Sequence, residues 1–221
     1  MNDSESSTGV KLNLATVLLF ESGLGGMALG VGWLTGFHSA VGVDATHKEF
    51  VREALRALFW GGAATIPAVL ALLLLVRFPM GGLEDVMRVT RQFILPLFRS
   101  RPLWHLAVIS LAAGVNEELL FRGLIQGGLA RLLEGYPWGW VAALLGASLL
   151  FGVCHWLNRT YAILAGLAGL YFGLLLVASG NIIAPMLAHA LYDFVALCYL
   201  TRGLDSPQAS QDLPTQNEYP S

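Results

Sequence analysis

Apolar residues dominate this chain in blocks of about 20, the length a helix needs to cross the hydrocarbon core of a bilayer. Six blocks stand out: residues 12–37, 54–76, a third starting near 102 and passing 113 into charged residues, 138–157, 161–179 and 182–201. The first is rich in glycine and carries Glu21. The second ends in the unbroken apolar run 71–76. The third is interrupted by Glu117, Glu118 and Arg122. Only Gly180 and Asn181 separate the last two blocks, which predicts a tight antiparallel hairpin. Residues 77–101 differ. They hold Arg77, Arg88, Arg91, Arg99 and Arg101, two prolines, and the apolar residues Val86, Val89, Phe93, Ile94 and Leu97. That mixture reads as a loop with an amphipathic helix on the membrane surface.

The pattern predicts an all-α fold: a polytopic integral membrane helical bundle of about six transmembrane helices. Its parts are a polar tail (1–13), two N-terminal transmembrane helices (14–76), a basic amphipathic cytoplasmic loop (77–101), a membrane core (102–201) and a disordered tail (202–221) rich in Ser, Pro, Gln and Asp. Residues 1–13 lack the basic stretch and cleavage site of a signal peptide, so the first block reads as an uncleaved anchor.

Composition sharpens this picture. Charged residues make up 13% of the chain, the apolar set 55%, and mean hydropathy is +0.62. About half the usual charge is too little to cover a soluble surface. A soluble globular enzyme, a disordered chain and a basic nucleic-acid binder are excluded. A net charge of −2 supplies no polyanion-binding surface, so no nucleic-acid partner is expected. Cys154 and Cys198 lie in apolar runs and read as small buried hydrophobes. Lys11, Arg77, Arg88, Arg91, Arg99, Arg101, Arg159 and Arg202 fall on one side of the bilayer, and Lys48, Arg52, Arg56 and Arg131 on the other. That bias predicts both termini in the cytoplasm, in the plasma membrane of a bacterium. Gly26–Gly30 and Gly169–Gly173 fit the small-xxx-small packing pattern, but 25 glycines produce such spacings by chance.

An ionisable group inside a span costs about 2.5–3.5 kcal/mol, so each one needs a reason. Three clusters stand out. In the first, Glu118 and Arg122 are four apart on one helix face and can pair. Glu117 is rotated away by about 100°. It is left without that cation and suits a general base. A charged cap at a helix end fits the same residues. In the second, Phe151 and His155 share a face, where the phenyl can fix the imidazole and exclude water; a lone hydrogen-bonded histidine also fits. In the third, His189 and Asp193 share a face deep in an apolar helix, either as a ligand or acid/base set or as a local structural hydrogen bond. Glu21 reads as an interhelical hydrogen bond, His38 and His47 as loop surface, and His105 beside Trp104 as an interface anchor. Cys154 and His155 diverge on a helix and do not form a nucleophile pair.

The order E-E-x-x-x-R, F-x-x-x-H, H-x-x-x-Asn/Asp, each on its own span, resembles the CPBP family of CAAX prenyl protease type II and Abi-like membrane proteins. Here the motifs are Glu117-Glu118…Arg122, Phe151…His155 and His189…Asp193. The resemblance spans roughly residues 100–200. It implies an intramembrane endopeptidase acting on a membrane-associated protein or peptide. It makes Glu117, His155, His189 and Asp193 catalytic, with Glu118, Arg122 and Phe151 supporting. The last position is often Asn in the prenyl proteases and is Asp193 here. An ionised Asp accepts hydrogen bonds only and cannot donate one to an oxyanion. The expectation is therefore a divalent metal, zinc, held by His155, His189 and Asp193, with Glu117 acting on metal-bound water. A non-catalytic protein of the same fold, in bacteriocin immunity or as a membrane chaperone, is the alternative. A proton-coupled transporter is a third reading, opposed by the absence of repeated halves. One count conflicts with a common site. At 1.5 Å per residue, Glu117 and His189 fall about 20 Å below the cytoplasmic face but His155 only about 6 Å. A fourth span beginning nearer 143 narrows that gap.

Overall fold

The computed structural model describes residues 13–36 and 47–202. The polar tail before Asn13, His38 and the tail from Gly203 onward lie outside the described residues. The described residues are helical, with no strand among them: α1 (Leu14–Leu34), α2 (His47–Arg77), α3 (Gly82–Val89), a π-helical turn (Thr90–Ile94), α4 (Leu95–Phe98), α5 (Leu103–Glu118), a π-helical stretch (Leu119–Gln126), α6 (Gly127–Leu132), α7 (Gly139–Cys154), α8 (Arg159–Ser179) and α9 (Ile183–Arg202). His47 therefore begins a helix instead of lying in a loop. This is an all-α membrane bundle.

Local chemistry sets the ends. The side chain of Asn13 accepts from the Ala15 N–H at 3.2 Å and caps α1. Asn158 does the same for α8, accepting from Tyr161 at 2.8 Å. Gly180, at φ 66°, closes α8 in the left-handed conformation that glycine adopts without strain. Asn181 then accepts from the Ile183 N–H at 2.9 Å and starts α9. The hairpin expected here forms, with a turn of Gly180, Asn181 and Ile182.

Four helices are long and apolar enough to cross a membrane: α1, α2 from Val51, α8 and α9. They bury only a small share of their apolar windows inside the protein, as helices facing lipid do. The expected third block is a continuous helical run through α5, the π stretch and α6. The expected fourth is short. Its helix α7 has 16 residues, about 24 Å of rise, less than the roughly 30 Å hydrocarbon core. The basic segment forms α3, with no buried residue, followed by the π turn and α4. Arg88 pairs with Asp85 within α3. Cys154 is exposed and not the buried hydrophobe expected, and both cysteines are free.

Close helix contacts build the interior. α9 packs on α5 and α2, α7 on α8, and α1 on α5 and the π stretch. At Gly114 on α5, a Cβ would lie 2.6 Å from the Ala190 nitrogen and 2.8 Å from the Met186 carbonyl oxygen on α9. Only glycine lets these backbones approach so closely. Gly169 and Gly173 are buried against Ser148, Phe151, Leu144 and Gln126, so this pair is a packing face and not a chance spacing. A Cβ added at Gly26 or Gly30 would meet nothing within 4 Å outside its own helix.

Candidate active site

Glu118 is the deepest charged group, at 0% exposure. Its Oε2 lies 3.0 Å from Arg122 Nε, one turn along, as the spacing predicts. Its Oε1 accepts from His189 Nδ1 at 2.9 Å. Gly114 explains the second contact. It stands one turn before Glu118, and the α9 residues it lets in, Met186 and Ala190, flank His189. Glu118 thus joins α5 to α9.

Arg122, 1% exposed, sits in the π stretch. Its Nη2 donates to the Gly169 carbonyl on α8 at 2.8 Å. Gln126 repeats the contact one turn further along, donating to the Gly173 carbonyl at 3.3 Å. Absence of side chains at these two glycines leaves the carbonyl oxygens reachable. The wider i→i+5 turn of the π stretch presents Arg122 and Gln126 to the same helix. Phe151, Phe172 and Phe121 surround the guanidinium, with ring centres at 4.9, 5.9 and 6.0 Å.

Glu117 points elsewhere, as its rotation on the helix requires. Its Oε2 is 3.6 Å from His155 Nε2, in contact but too far for a direct hydrogen bond. His155 follows the last residue of α7, and its Nδ1 donates to the Phe151 carbonyl at 2.8 Å. In the neutral ring that bond puts the proton on Nδ1 and leaves Nε2 as an acceptor beside Glu117. Phe151 also stacks on the imidazole face, at 4.3 Å and 23°. The expected Phe151–His155 partnership exists, through both the ring and the carbonyl. The depth conflict resolves because α7 is short and packs on α6 and the π stretch. Its C-terminal end lies beside Glu117.

His189 Nε2 faces Asp193 Oδ2 at 3.5 Å, and Phe172 stacks on its ring at 4.8 Å and 15°. Both ring nitrogens therefore face carboxylates. Exposure falls into two layers. Glu118, Arg122 and His189 are sealed, whereas the side chains of Glu117, His155 and Asp193 are 13%, 30% and 31% exposed. The surface groove between Val76, Pro79, Met87 and Arg91 shares no residue with this site.

Among the described residues no three His, Cys, Asp or Glu side chains are grouped to hold a metal ion. Within the expected zinc set, His189 Nε2 and Asp193 Oδ2 are 3.5 Å apart, and His155 Nε2 faces Glu117 Oε2 at 3.6 Å. Phe172, Gln126 and the two glycine carbonyls were not anticipated. Nothing in their sequence context distinguishes them from ordinary span residues.

Three motifs, read from separate parts of the chain, thus meet in one place. Residues 99–195 match the family model of the Rce1-like type II CAAX prenyl endopeptidases. The resemblance drawn from the motifs is borne out over this Rce1-like segment, which begins after α4 and ends within α9. A protein of Bacillus subtilis, the uncharacterized protein YpbD, is 25% identical over 147 residues, covering 66% of this chain and 70% of its own length. No solved structure matches the chain significantly.

Proposed function

We propose that the chain is an intramembrane endopeptidase that hydrolyses a peptide bond of a membrane-associated protein or peptide. The Rce1-like match supports a protease of the CAAX type at the family level. The observation that carries the reading further is the Glu117–His155 pair: a carboxylate oxygen and an imidazole nitrogen side by side, on side chains that are 13% and 30% exposed, at the edge of a sealed polar cluster. Two such acceptors are what a water molecule needs in order to lose a proton. Glu117 takes the proton while the hydroxide attacks the carbonyl carbon. Glu117 then returns the proton to the nitrogen of the breaking bond. His189, held through Nδ1 by Glu118, presents Nε2–H to the oxyanion in competition with Asp193. No step runs through a metal ion.

The test is cleavage by the purified chain in liposomes. Quenched-fluorescent peptides carrying a membrane anchor, with and without a prenyl group, are followed by fluorescence and mass spectrometry. Wild type cleaves at defined bonds. Glu117→Gln and His155→Ala fold and are inactive, a loss of about 10²-fold or more for each proton-transfer group. Wild type without cleavage returns the chain to the non-catalytic reading, in immunity or as a chaperone.

A further inference from the structure

The family match begins at residue 99 and does not reach α1, yet α1 brings a charged residue to the same site. The buried residues of α1 are Glu21, Gly25, Ala28 and Gly32, a single stripe at helical spacing. That stripe lies on α5 and the π stretch. At Gly25 a Cβ would overlap the side chain of Asn116, the residue before Glu117. Glu21 is one turn from Gly25 on the same stripe. It is 8% exposed, and its Oε2 is shielded from solvent with no hydrogen-bond partner among the described residues. The interhelical hydrogen bond expected for it is absent at that oxygen. Glu21 and Glu117 thus lie on helices packed against each other, α1 and α5.

The basic groups of the site are committed elsewhere. Arg122 holds Glu118 and the Gly169 carbonyl. His189 stands between Glu118 and Asp193. His155 faces Glu117 and donates to Phe151. Glu21 makes no ion pair among the described residues, whereas Glu117, whose Oε2 likewise has no hydrogen bond, at least faces His155. A carboxylate accepts hydrogen bonds and offers none, and burying it unpaired is unfavourable. The group that completes it must bring N–H donors and positive charge.

We propose that Glu21 binds a cationic nitrogen of the substrate, an inference that rests on the peptidase reading for the identity of that nitrogen. A peptide offers two sources. One is the nitrogen of the cleaved bond: the proton from Glu117 passes to nitrogen, the C–N bond breaks as the carbonyl re-forms, and the proton of the new carboxylic acid passes to the amine, which leaves as an ammonium beside Glu21 while the other product leaves as a carboxylate. The other is a lysine or arginine side chain flanking the bond.

The first experiment needs no substrate. The full chain in detergent is melted with butylamine, a primary ammonium probe, or with N-butylacetamide, its uncharged counterpart. Wild type and Glu117→Gln gain about 3 °C at a tenfold excess of butylamine over its dissociation constant and nothing from the amide. Glu21→Gln loses the gain and Glu21→Asp keeps it. Without ligand, Glu21→Gln melts no lower than wild type, because the charge it removes has no partner in the protein. A lower melting point, or failure to accumulate as folded protein, marks Glu21 as structural and overturns the proposal. An equal butylamine shift in Glu21→Gln, or none in wild type, also overturns it. The second experiment compares cleavage of a peptide mixture by wild type and Glu21→Gln, with sites read by mass spectrometry. Loss of a lysine or arginine preference at one fixed position identifies the side chain. A uniform fall of about tenfold in rate, with unchanged sites, identifies the leaving amine. Unchanged rate and sites overturn the proposal. If wild type cleaves nothing while its butylamine shift persists, the peptidase reading fails and the cation site stands.

Discussion

Adjacent glutamates with unlike surroundings are the clearest residue-scale feature. Glu118 is sealed between Arg122 and His189, and Glu117 sits at the accessible layer beside His155. Glu118→Gln leaves Arg122 buried without its carboxylate. Breaking a buried pair costs about 3–5 kcal/mol, so this variant is expected to yield less folded protein and melt lower. Glu117→Gln should melt like wild type while losing turnover. Equal yield and equal melting in the two variants would contradict this division. Asp193 separates the metal-free scheme from the expected zinc. Asp193→Asn keeps an acceptor for His189 Nε2 and gains a donor for an oxyanion. Activity should stay within about tenfold of wild type and resist chelator, as measured by peptide turnover. A larger loss that added zinc rescues would restore the zinc set. These pairs were legible in the sequence because i,i+4 spacing is a local property. Glu118–Arg122, Phe151–His155 and His189–Asp193 are all read from one helix at a time. The 2.9 Å contact from Glu118 to His189 joins residues 71 apart, and no periodicity announces it. Glu21 was visible, but the packing of its stripe on α5 was not.

Among the elements, small deviations from regular helix position the chemistry. α7 ends early, and its end places His155 beside Glu117. Hydropathy marks where a span is apolar but not where a helix ends inside an apolar run. That is why residues 138–157 read as one crossing. The π stretch at Leu119–Gln126 escaped for a related reason: it depends on Arg122 and Gln126 finding carbonyls on α8, a tertiary contact. Glycines separate into two kinds by the same logic. Gly114→Val pushes α9 from α5 and separates Glu118 from His189, as does any Cβ against the Ala190 nitrogen. Overpacking of this kind costs about 1–3 kcal/mol, and turnover should fall with it. Gly26→Ala meets open space and replaces a flexible helix residue, a gain of about 0.5–1 kcal/mol. Melting curves of the two variants in detergent check the contrast. A neutral Gly114→Val would mean that α5 and α9 are not held as closely as described.

On the scale of the whole molecule, the site is a meeting of helices from both halves of the chain, opened at one end. The turn from α7 to α8, residues 155–158, carries His155 and leads into Arg159. α3 packs against the start of α8, where a Cβ at Gly82 would overlap Thr160. The arginines of the 77–101 segment therefore lie at the end of the bundle where the Glu117–His155 pair is reached. The opposite end carries the turn between α6 and α7, with Tyr136 and Trp138 exposed and 5.1 Å apart, a pairing suited to a membrane–water interface. The lysine and arginine bias of the sequence predicts the arginine-rich end in the cytoplasm, and on that expectation substrate enters from that side. Single cysteines in a Cys154→Ser, Cys198→Ser background test this. Ser100 and Gly135 are both exposed, on opposite ends of the helical run from α5 to α6. With an impermeant maleimide added outside intact cells, Gly135→Cys should label and Ser100→Cys should label only after lysis. Labelling of Ser100→Cys from outside would invert the bundle. It would move the α7–α8 turn, and the open side of the Glu117–His155 pair, to the external face, where a substrate made in the cytoplasm must first cross the membrane to be cut.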